Sequence, residues 1–217
     1  MNIVEKAKEE VVSTARKIIQ EGLAFGTWGN ISCRPADDRI IVTPSGIPYS
    51  NLQYIDMVVV DLQGRVEESR WKPSTELPLH LAVYRAREDI RSIIHVHSVY
   101  ASAFAVTRQA IPVALEEMAQ LIGKEVPITA YALPGSNELG ENAVSALGEK
   151  GYAVLLASHG LIATGEYLNE VLLRCLVIER SARIQIYARL IGAPVLLEDK
   201  EIAILRDKYI NSYGQAR

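Results

Sequence analysis

Apolar residues recur along this chain in two alternating patterns, helical spacing and short β-branched runs. Residues 3–21 place apolar side chains on one helical face and are followed by Gly22, so an amphipathic helix is predicted there. Helices are also predicted after Pro73 and over residues 99–106, 138–147, 169–190 and 199–210. Apolar runs predict strands at residues 31–33, 39–42, 57–61, 65–67, 90–97, 126–130 and 152–156.

The interleaving of helices and strands indicates the fold class. A Gln63-Gly64 turn joins two of the strands into a hairpin, so the sheet is not purely parallel. The pattern predicts an α/β fold, a layered α/β/α sandwich with a mixed central sheet. No repeat or linker interrupts the 217 residues, so residues 1–217 are expected to form a single domain. No Gly-x-Gly-x-x-Gly motif follows a strand, which disfavours a dinucleotide-binding fold.

Composition narrows the range of partners. The net charge is -3 and no long basic block is present, so neither nucleic acid nor an anionic membrane is expected as a partner. No apolar run approaches the ~20 residues of a membrane span, and the charged first residues do not form a signal peptide. The two cysteines, Cys33 and Cys175, lie far apart in sequence. They are predicted to be buried, reduced thiols of a cytoplasmic protein.

The histidines carry the clearest candidate chemistry. The chain has four, and His95 and His97 alternate at the end of a β-branched run. Side chains at i and i+2 of a strand leave the same face roughly 7 Å apart, so two imidazoles can converge on one metal ion. His159 follows another apolar run, and three imidazoles with a free coordination position are typical of a catalytic zinc site. Taken alone, so short and common a spacing favours a chance pair on a half-exposed strand.

Three short polar segments have the composition of anion-binding turns. Glycines allow close backbone approach, and N–H groups beside hydroxyls can bind phosphate. Each segment has a simpler explanation as a turn or a helix N-cap, so a phosphate pocket is indicated only if the fold brings them together. The segments are Gly29-Asn30, Ser45-Gly46 and Ser74-Thr75.

Glu76 follows the third of these segments, in the first turn of the predicted helix. A carboxylate there interacts favourably with the helix dipole, and beside a metal it can also act as a general base. His80 lies four residues further on the same helix face. We expect His80 to have a structural role rather than to bind the metal.

Five motifs occur in order along the chain: Gly-Thr-Trp-Gly-Asn-Ile-Ser (26–32), Thr-Pro-Ser-Gly-Ile-Pro (43–48), Pro-Ser-Thr-Glu (73–76), His-Val-His (95–97) and Ser-His-Gly (158–160). Together they resemble the class II aldolase/adducin-head family over nearly the whole chain. The resemblance implies a three-layer α/β/α sandwich with a largely antiparallel central sheet. It also implies a homotetramer with active sites at subunit interfaces.

The resemblance implies a role for each matching position. His95, His97 and His159 are implied to be zinc ligands, with Mn²⁺ or Co²⁺ as alternative metals. Glu76 is implied to be the acid/base, and also to approach the metal when no substrate is bound. The implied phosphate pocket consists of Gly29, Asn30, Ser45, Gly46, Ser74 and Thr75.

One departure from the family pattern concerns the residues after Ile111-Pro112. Fuculose-1-phosphate aldolases place there a tyrosine that the neighbouring subunit contributes as a proton donor, whereas this chain has Glu116. A glutamate can serve as an acid with a different pKa and reach, so the substrate and the reaction are left open. Tyr213 resembles the family's tail tyrosine, and Tyr131 is a further candidate hydroxyl for which a core role is equally expected.

The reaction implied is zinc-dependent aldol cleavage of a ketose 1-phosphate, similar to fuculose 1-phosphate, to dihydroxyacetone phosphate and an aldehyde. Zinc would stabilise the developing enediolate, and Glu76 would move the proton. Sugar-phosphate 4-epimerases, decarboxylases and dehydratases of the same family use the same chemistry and stay as alternatives. A non-catalytic, adducin-like scaffold is disfavoured, because the chain keeps Glu76 and all three candidate histidine ligands.

Overall fold

A single sheet forms the centre of the molecule in the computed structural model, which describes residues 2–36 and 38–214. Within these residues the sheet has seven strands in the order β4-β3-β2-β1-β5-β7-β6, and every neighbouring pair is antiparallel. The strands are β1 (Asn30–Ala36), β2 (Arg39–Val42), β3 (Val58–Val60), β4 (Val66–Glu68), β5 (Ser92–Val96), β6 (Ala153–Leu156) and β7 (Gly160–Gly165).

Helices cover both faces of this sheet. Asn2 caps the first helix, because its side chain accepts hydrogen bonds from the N–H groups of Val4 and Glu5. The helices are α1 (Ile3–Gln20), α2 (Leu77–Ala86), α3 (Val99–Thr107), α4 (Glu116–Leu121), α5 (Asn137–Leu147), α6 (Leu168–Ile191) and α7 (Asp199–Ser212), with short 3₁₀ turns at Tyr49–Asn51 and Tyr54–Asp56.

Alternation along the strands divides the core into two layers. Ile94 and Val96 pack in the layer beneath α1, α3 and α6, whereas Ile93 points into the layer beneath α2 and α5. The molecule is therefore a three-layer α/β/α sandwich, and the predicted fold class is confirmed. The parallel component of the predicted mixed sheet is a single bridge between Ile128 and Leu155. Cys33 and Cys175 are buried free thiols.

Three local features of the structure differ from what the sequence pattern predicts. Residues 126–130 do not form a strand and pair only through isolated bridges at Val126 and Ile128, since Pro127 has no N–H to donate to a ladder. The β7 strand was not predicted, because its two glycines and its alanine weaken the β pattern, and its position between β5 and β6 stabilises it. The helix α4 was also not predicted, because six residues are too few to show a helical period.

Candidate metal and anion site

Three histidines converge at one end of the sheet. His95 lies on β5, and His97 follows that strand on the same face, towards α2. His159 lies in the β6–β7 turn, where Ser158 adopts a positive φ of 55°. His95 Nε2 is 2.9 Å from His97 Nε2 and 3.2 Å from His159 Nε2. Residues 64 positions apart in the sequence thus present the same ring nitrogen to one point.

Glu76 completes this group from the opposite side. It occupies the N-cap position of α2, where its backbone N–H donates to Ser74 Oγ. Its Oε2 lies 3.1 Å from His95 Nε2, and its Oε1 lies 3.2 Å from His159 Nε2. The four donor atoms lie within 4.8 Å of one another. The metal cluster, as we name Glu76, His95, His97 and His159, therefore has the size and donor set of a metal site.

Hydrogen bonding within the metal cluster tests whether a cation fits there. His95 Nδ1 lies 3.0 Å from the carbonyl oxygen of Leu161, which can only accept, so His95 carries its proton on Nδ1. The lone pair on His95 Nε2 therefore points at the other two rings. Among the described residues, Glu76 Oε1 has no hydrogen-bond partner although it is buried. Three converging ring nitrogens and an orphaned carboxylate oxygen fit a divalent cation.

The electrostatics of the metal cluster favour the metal-binding protonation states. Burial lowers the pKa of His97 to about 3 and that of His159 to about 4, so both rings are neutral near pH 7. Burial alone would raise the pKa of Glu76, but the adjoining His95 and His159 rings and the hydrogen bond from Asn30 hold it well below its usual range. Glu76 is therefore ionised, and neutral imidazoles beside a carboxylate are the forms that bind a metal.

Two glycines permit the close approach of the elements that carry the histidines. Gly29 has a φ of +92°, and a Cβ there would lie 2.7 Å from the carbonyl oxygen of His95. The Tyr49 hydroxyl donates to the carbonyl oxygen of Gly29 at 2.5 Å and fixes the turn. A Cβ at Gly160 would lie 2.4 Å from the carbonyl oxygen of Val96. Neither position can accept a side chain without a backbone shift.

The three predicted anion segments lie side by side in the structure. The Ile31 N–H donates to Thr43 Oγ1, which ties the end of the Gly29-Asn30 segment to the strand before Ser45. The Ser74 N–H in turn donates to the carbonyl oxygen of Thr43 at 3.0 Å. Ser45, Gly46 and Thr75 are exposed, whereas Asn30 and Ser74 are buried. The fold thus meets the condition under which the three segments indicate one pocket, and the individual roles stay predictions.

The structure does not bring every candidate residue to the metal cluster. Glu116 is exposed at the start of α4, and its carboxylate accepts a hydrogen bond from Gln120. Tyr213 is 73% exposed at the end of α7, and Tyr131 is 54% exposed rather than a core residue. Within the described residues, neither Glu116 nor Tyr213 has a hydrogen bond to the metal cluster. Their predicted roles depend on a neighbouring subunit and stay untested predictions.

Sequence reasoning missed the contacts of Asn30 and His80. The Asn30 side-chain amide donates to Glu76 Oε2 at 2.7 Å, and its oxygen lies 2.5 Å from His80 Nε2. His80 is thus connected to the candidate base through one residue. The sequence signal for a link between Glu76 and His80 was their spacing of four on one face of α2. Asn30, which joins them, belongs to β1 and is far away in the sequence.

No helix among the described residues is both long enough and apolar enough to cross a membrane.

The sequence profile of the family described as Class II Aldolase and Adducin N-terminal domain matches residues 9–186. The 5-deoxy-D-ribulose 1-phosphate aldolase of Bacillus thuringiensis serovar kurstaki is 36% identical over 214 residues, which are 98% of this chain and 99% of that protein. The L-fuculose phosphate aldolase of Escherichia coli K12 is 34% identical and covers 96% of each chain.

Comparison with solved structures gives the same family. A structure of an L-fuculose 1-phosphate aldolase matches with a TM-score of 0.90 and 35% identity, covering 94% of this chain and 96% of that one. The chain belongs to the class II aldolase and adducin family, and it is an enzyme of the class II aldolase type.

Proposed function

We propose that this protein is a zinc-dependent aldolase that cleaves a ketose 1-phosphate to dihydroxyacetone phosphate and an aldehyde. The observation that carries the proposal is the position of the metal cluster beside three linked anion-binding segments. Relatives named as aldolases of 5-deoxyribulose and fuculose phosphates support this substrate class. The names of these relatives differ in the aldehyde part, so our proposal specifies the phosphate-bearing half of the substrate and leaves the aldehyde open.

The metal cluster supplies the ligands. His95, His97 and His159 would hold the cation through their Nε2 atoms, and Glu76 would approach it when no substrate is present. A bound divalent cation supplies Lewis-acid stabilisation of the negative charge that develops on the substrate oxygens during cleavage. Imidazole and carboxylate ligands suit zinc, and Mn²⁺ or Co²⁺ suit a similar set.

The three anion segments bind the phosphate group in this proposal. Ser45, Gly46 and Thr75 present accessible backbone and hydroxyl groups, and the positive φ of 72° at Gly46 orients consecutive N–H groups for an anion. Gly29, Asn30 and Ser74 complete the pocket. Holding the phosphate places the adjacent carbonyl of the substrate towards the metal cluster, since Glu76 directly follows the Ser74-Thr75 segment.

The proposed proton transfers balance the reaction. The bond between C3 and C4 breaks, and the C4 hydroxyl loses its proton as C4 becomes the aldehyde carbon. The electron pair left on C3 takes up a proton from Glu76, which is ionised at rest and therefore first takes up that proton from solvent. The carboxylate of Glu116 from a neighbouring subunit accepts the proton of the C4 hydroxyl, or the hydroxyl of Tyr213 from that subunit passes it on to solvent. This assignment requires the proposed homotetramer with active sites at subunit interfaces, formed by single-domain chains in the cytoplasm.

The test is release of dihydroxyacetone phosphate from a panel of ketose 1-phosphates. The panel contains the fuculose, rhamnulose, ribulose and 5-deoxyribulose 1-phosphates, each with and without a metal chelator. We expect release that the chelator abolishes and that zinc, cobalt or manganese restores to different extents. No release from zinc-loaded protein would contradict aldol cleavage and favour an epimerase, decarboxylase or dehydratase. Failure of purified protein to bind any of the three metals would favour the scaffold.

A further inference from the structure

Five buried side chains form a continuous hydrogen-bonded chain that ends on the candidate base. The Tyr84 hydroxyl lies 2.8 Å from Ser32 Oγ, which lies 2.6 Å from His80 Nδ1. His80 Nε2 lies 2.5 Å from Asn30 Oδ1, and Asn30 Nδ2 lies 2.7 Å from Glu76 Oε2. All five are buried, with His80 and Ser32 at 0% exposure. We name these residues the polar relay.

The direction of each hydrogen bond in the polar relay follows from its end on Glu76. An ionised carboxylate only accepts, so the Asn30 amide must turn its N–H towards Glu76. Asn30 Oδ1 then faces His80, and His80 must carry a proton on Nε2 to donate to it. A neutral histidine protonated on Nε2 has a lone pair on Nδ1, so Ser32 donates to Nδ1 and Tyr84 donates to Ser32.

We infer that His80 is a positioning residue for Glu76, because its Nε2–H holds the Asn30 amide in the orientation that binds Oε2 of Glu76. This inference rests on the proposed role of Glu76 as the acid/base. With Oε2 held by Asn30, Oε1 has no partner among the described residues and faces the histidines. One carboxylate oxygen is thereby fixed while the other is available to the metal or to the reacting carbon.

A purely structural role explains the polar relay less well. The surrounding layer is apolar and includes Ile93, Ile162 and Leu79. Burying the five polar side chains of the polar relay there is unfavourable unless each is hydrogen bonded, and apolar residues of similar volume would fill the space without that requirement. What the polar residues add is a defined orientation of the Asn30 amide, which an apolar core cannot give.

The kinetic test compares two amide substitutions at His80. In His80→Gln, the side-chain nitrogen can reach the position of Nε2 and still donate to Asn30. In His80→Asn, the shorter amide reaches only the position of Nδ1. We expect His80→Asn to lower kcat about 10- to 100-fold, which is the usual cost of losing a residue that orients the groups around a metal. We expect the kcat of His80→Gln to stay within about threefold of the wild type.

Three readouts distinguish positioning from loss of structure. The zinc content should change little in either variant, because the three histidine ligands are untouched, and KM should change less than kcat, because Asn30 is the one residue of the phosphate pocket that His80 contacts. Tyr84→Phe serves as the control at the far end of the polar relay, since Ser32 still donates to His80 without it, and its kcat should stay near the wild-type value. Equal losses in His80→Gln and His80→Asn, or a change confined to KM, would overturn the inference.

A second measurement needs neither activity nor a variant. In zinc-loaded protein labelled with nitrogen-15 histidine, long-range proton–nitrogen correlation spectra report the tautomer of each of the four rings. We expect His80 to be protonated on Nε2, in contrast to His95, which is protonated on Nδ1. A His80 ring protonated on Nδ1 would overturn the inference even if both variants failed to fold. If the wild type cleaves no ketose phosphate while His80 has the Nε2–H tautomer, the proposed function fails and the orientation of Asn30 stands.

Discussion

The four histidines of this protein occupy two contrasting environments within one end of the fold. His95, His97 and His159 bring their Nε2 atoms together with a carboxylate, and none of these three nitrogens has a donor or acceptor other than the metal cluster itself among the described residues. His80 is linked to Glu76 of the metal cluster by hydrogen bonds through Asn30, and each of its own ring nitrogens has a hydrogen-bond partner. The same side chain thus serves in two physically different roles.

Hydrogen-bond satisfaction distinguishes these roles better than burial does. His95 and His80 are both 0% exposed, so burial alone would assign them the same function. The lone pair of His95 Nε2 is directed at the Nε2 atoms of the other two rings, an arrangement that a cation stabilises. Both ring nitrogens of His80 are already engaged, so His80 has no lone pair to offer. The comparison predicts that substitutions in the two environments will differ in their effect on metal content.

Removing a histidine of the metal cluster should have the largest effect. We expect His95→Ala to lose the metal and to lower activity well beyond the about 10- to 100-fold that loss of an outer partner costs. Metal analysis of the purified protein and release of dihydroxyacetone phosphate are the two measurements. His80→Gln is the matched control and should retain a full complement of metal. Full metal content in His95→Ala would show that His95 is not a ligand.

Neutralising the carboxylate should separate metal binding from catalysis. In Glu76→Gln the three histidines remain, so we expect the metal to be retained while kcat falls about 100- to 1,000-fold through loss of proton transfer. The measurements are metal content, kcat and KM on the best substrate of the panel. Near-normal turnover in Glu76→Gln would show that another group is the base, and with it the positioning role of His80 would lose its basis.

The glycine that supports β5 allows a test of stability. Gly29 combines a positive φ with contact to the His95 carbonyl, whereas Gly22 has a φ of +69° and nothing within 4 Å of an added Cβ. We expect Gly29→Ala to lower the free energy of unfolding by about 3 kcal/mol and Gly22→Ala by about 1 kcal/mol. Urea unfolding of both variants measures the difference. Equal losses of stability in the two variants would mean that small backbone shifts relieve the contact between the added Cβ and the His95 carbonyl oxygen.

The contrast between the two environments also marks how far sequence reasoning reached. The spacing of His95 and His97 predicted a shared strand face, and their ring nitrogens do converge with that of His159. The position of Asn30 between Glu76 and His80 depends on the register that pairs Asn30 with His95 across β1 and β5. The alternation of side chains along a strand does not specify that register, because a shift of the pairing by two residues leaves every side chain on the same face of the sheet.

The same limit applies to the β7 strand and to the anion segments. The glycines and alanine of Gly160–Gly165 weaken its intrinsic preference for a strand, and it forms one between β5 and β6 because both neighbours supply hydrogen bonds. The anion segments were recognisable one by one from glycines and hydroxyls. Their adjacency comes from the hydrogen bonds of Thr43 to Ile31 and Ser74, which tertiary structure alone provides.

The smallest expected effect concerns the dependence of stability on pH at His80. Burial lowers the pKa of His80 to about 3, with Glu76 opposing the shift, whereas an unfolded histidine has a pKa of about 6.5. The unfolded chain therefore binds the proton first, so stability is lost as the pH falls from about 6.5 towards 3. Between pH 6.5 and 5 the loss attributable to His80 is about 2 kcal/mol.

The measurement compares wild type with His80→Gln in urea unfolding at pH 7 and pH 5, with metal removed and at equal protein concentration. Glu76 and the three histidines of the metal cluster titrate in both proteins, as does any oligomer contact, so the difference between the two proteins reports His80. We expect the wild type to lose about 2 kcal/mol more than His80→Gln. Equal losses would show that the folded protein accepts a proton on His80 at pH 5. That result would contradict the lowered pKa of His80 in the folded protein.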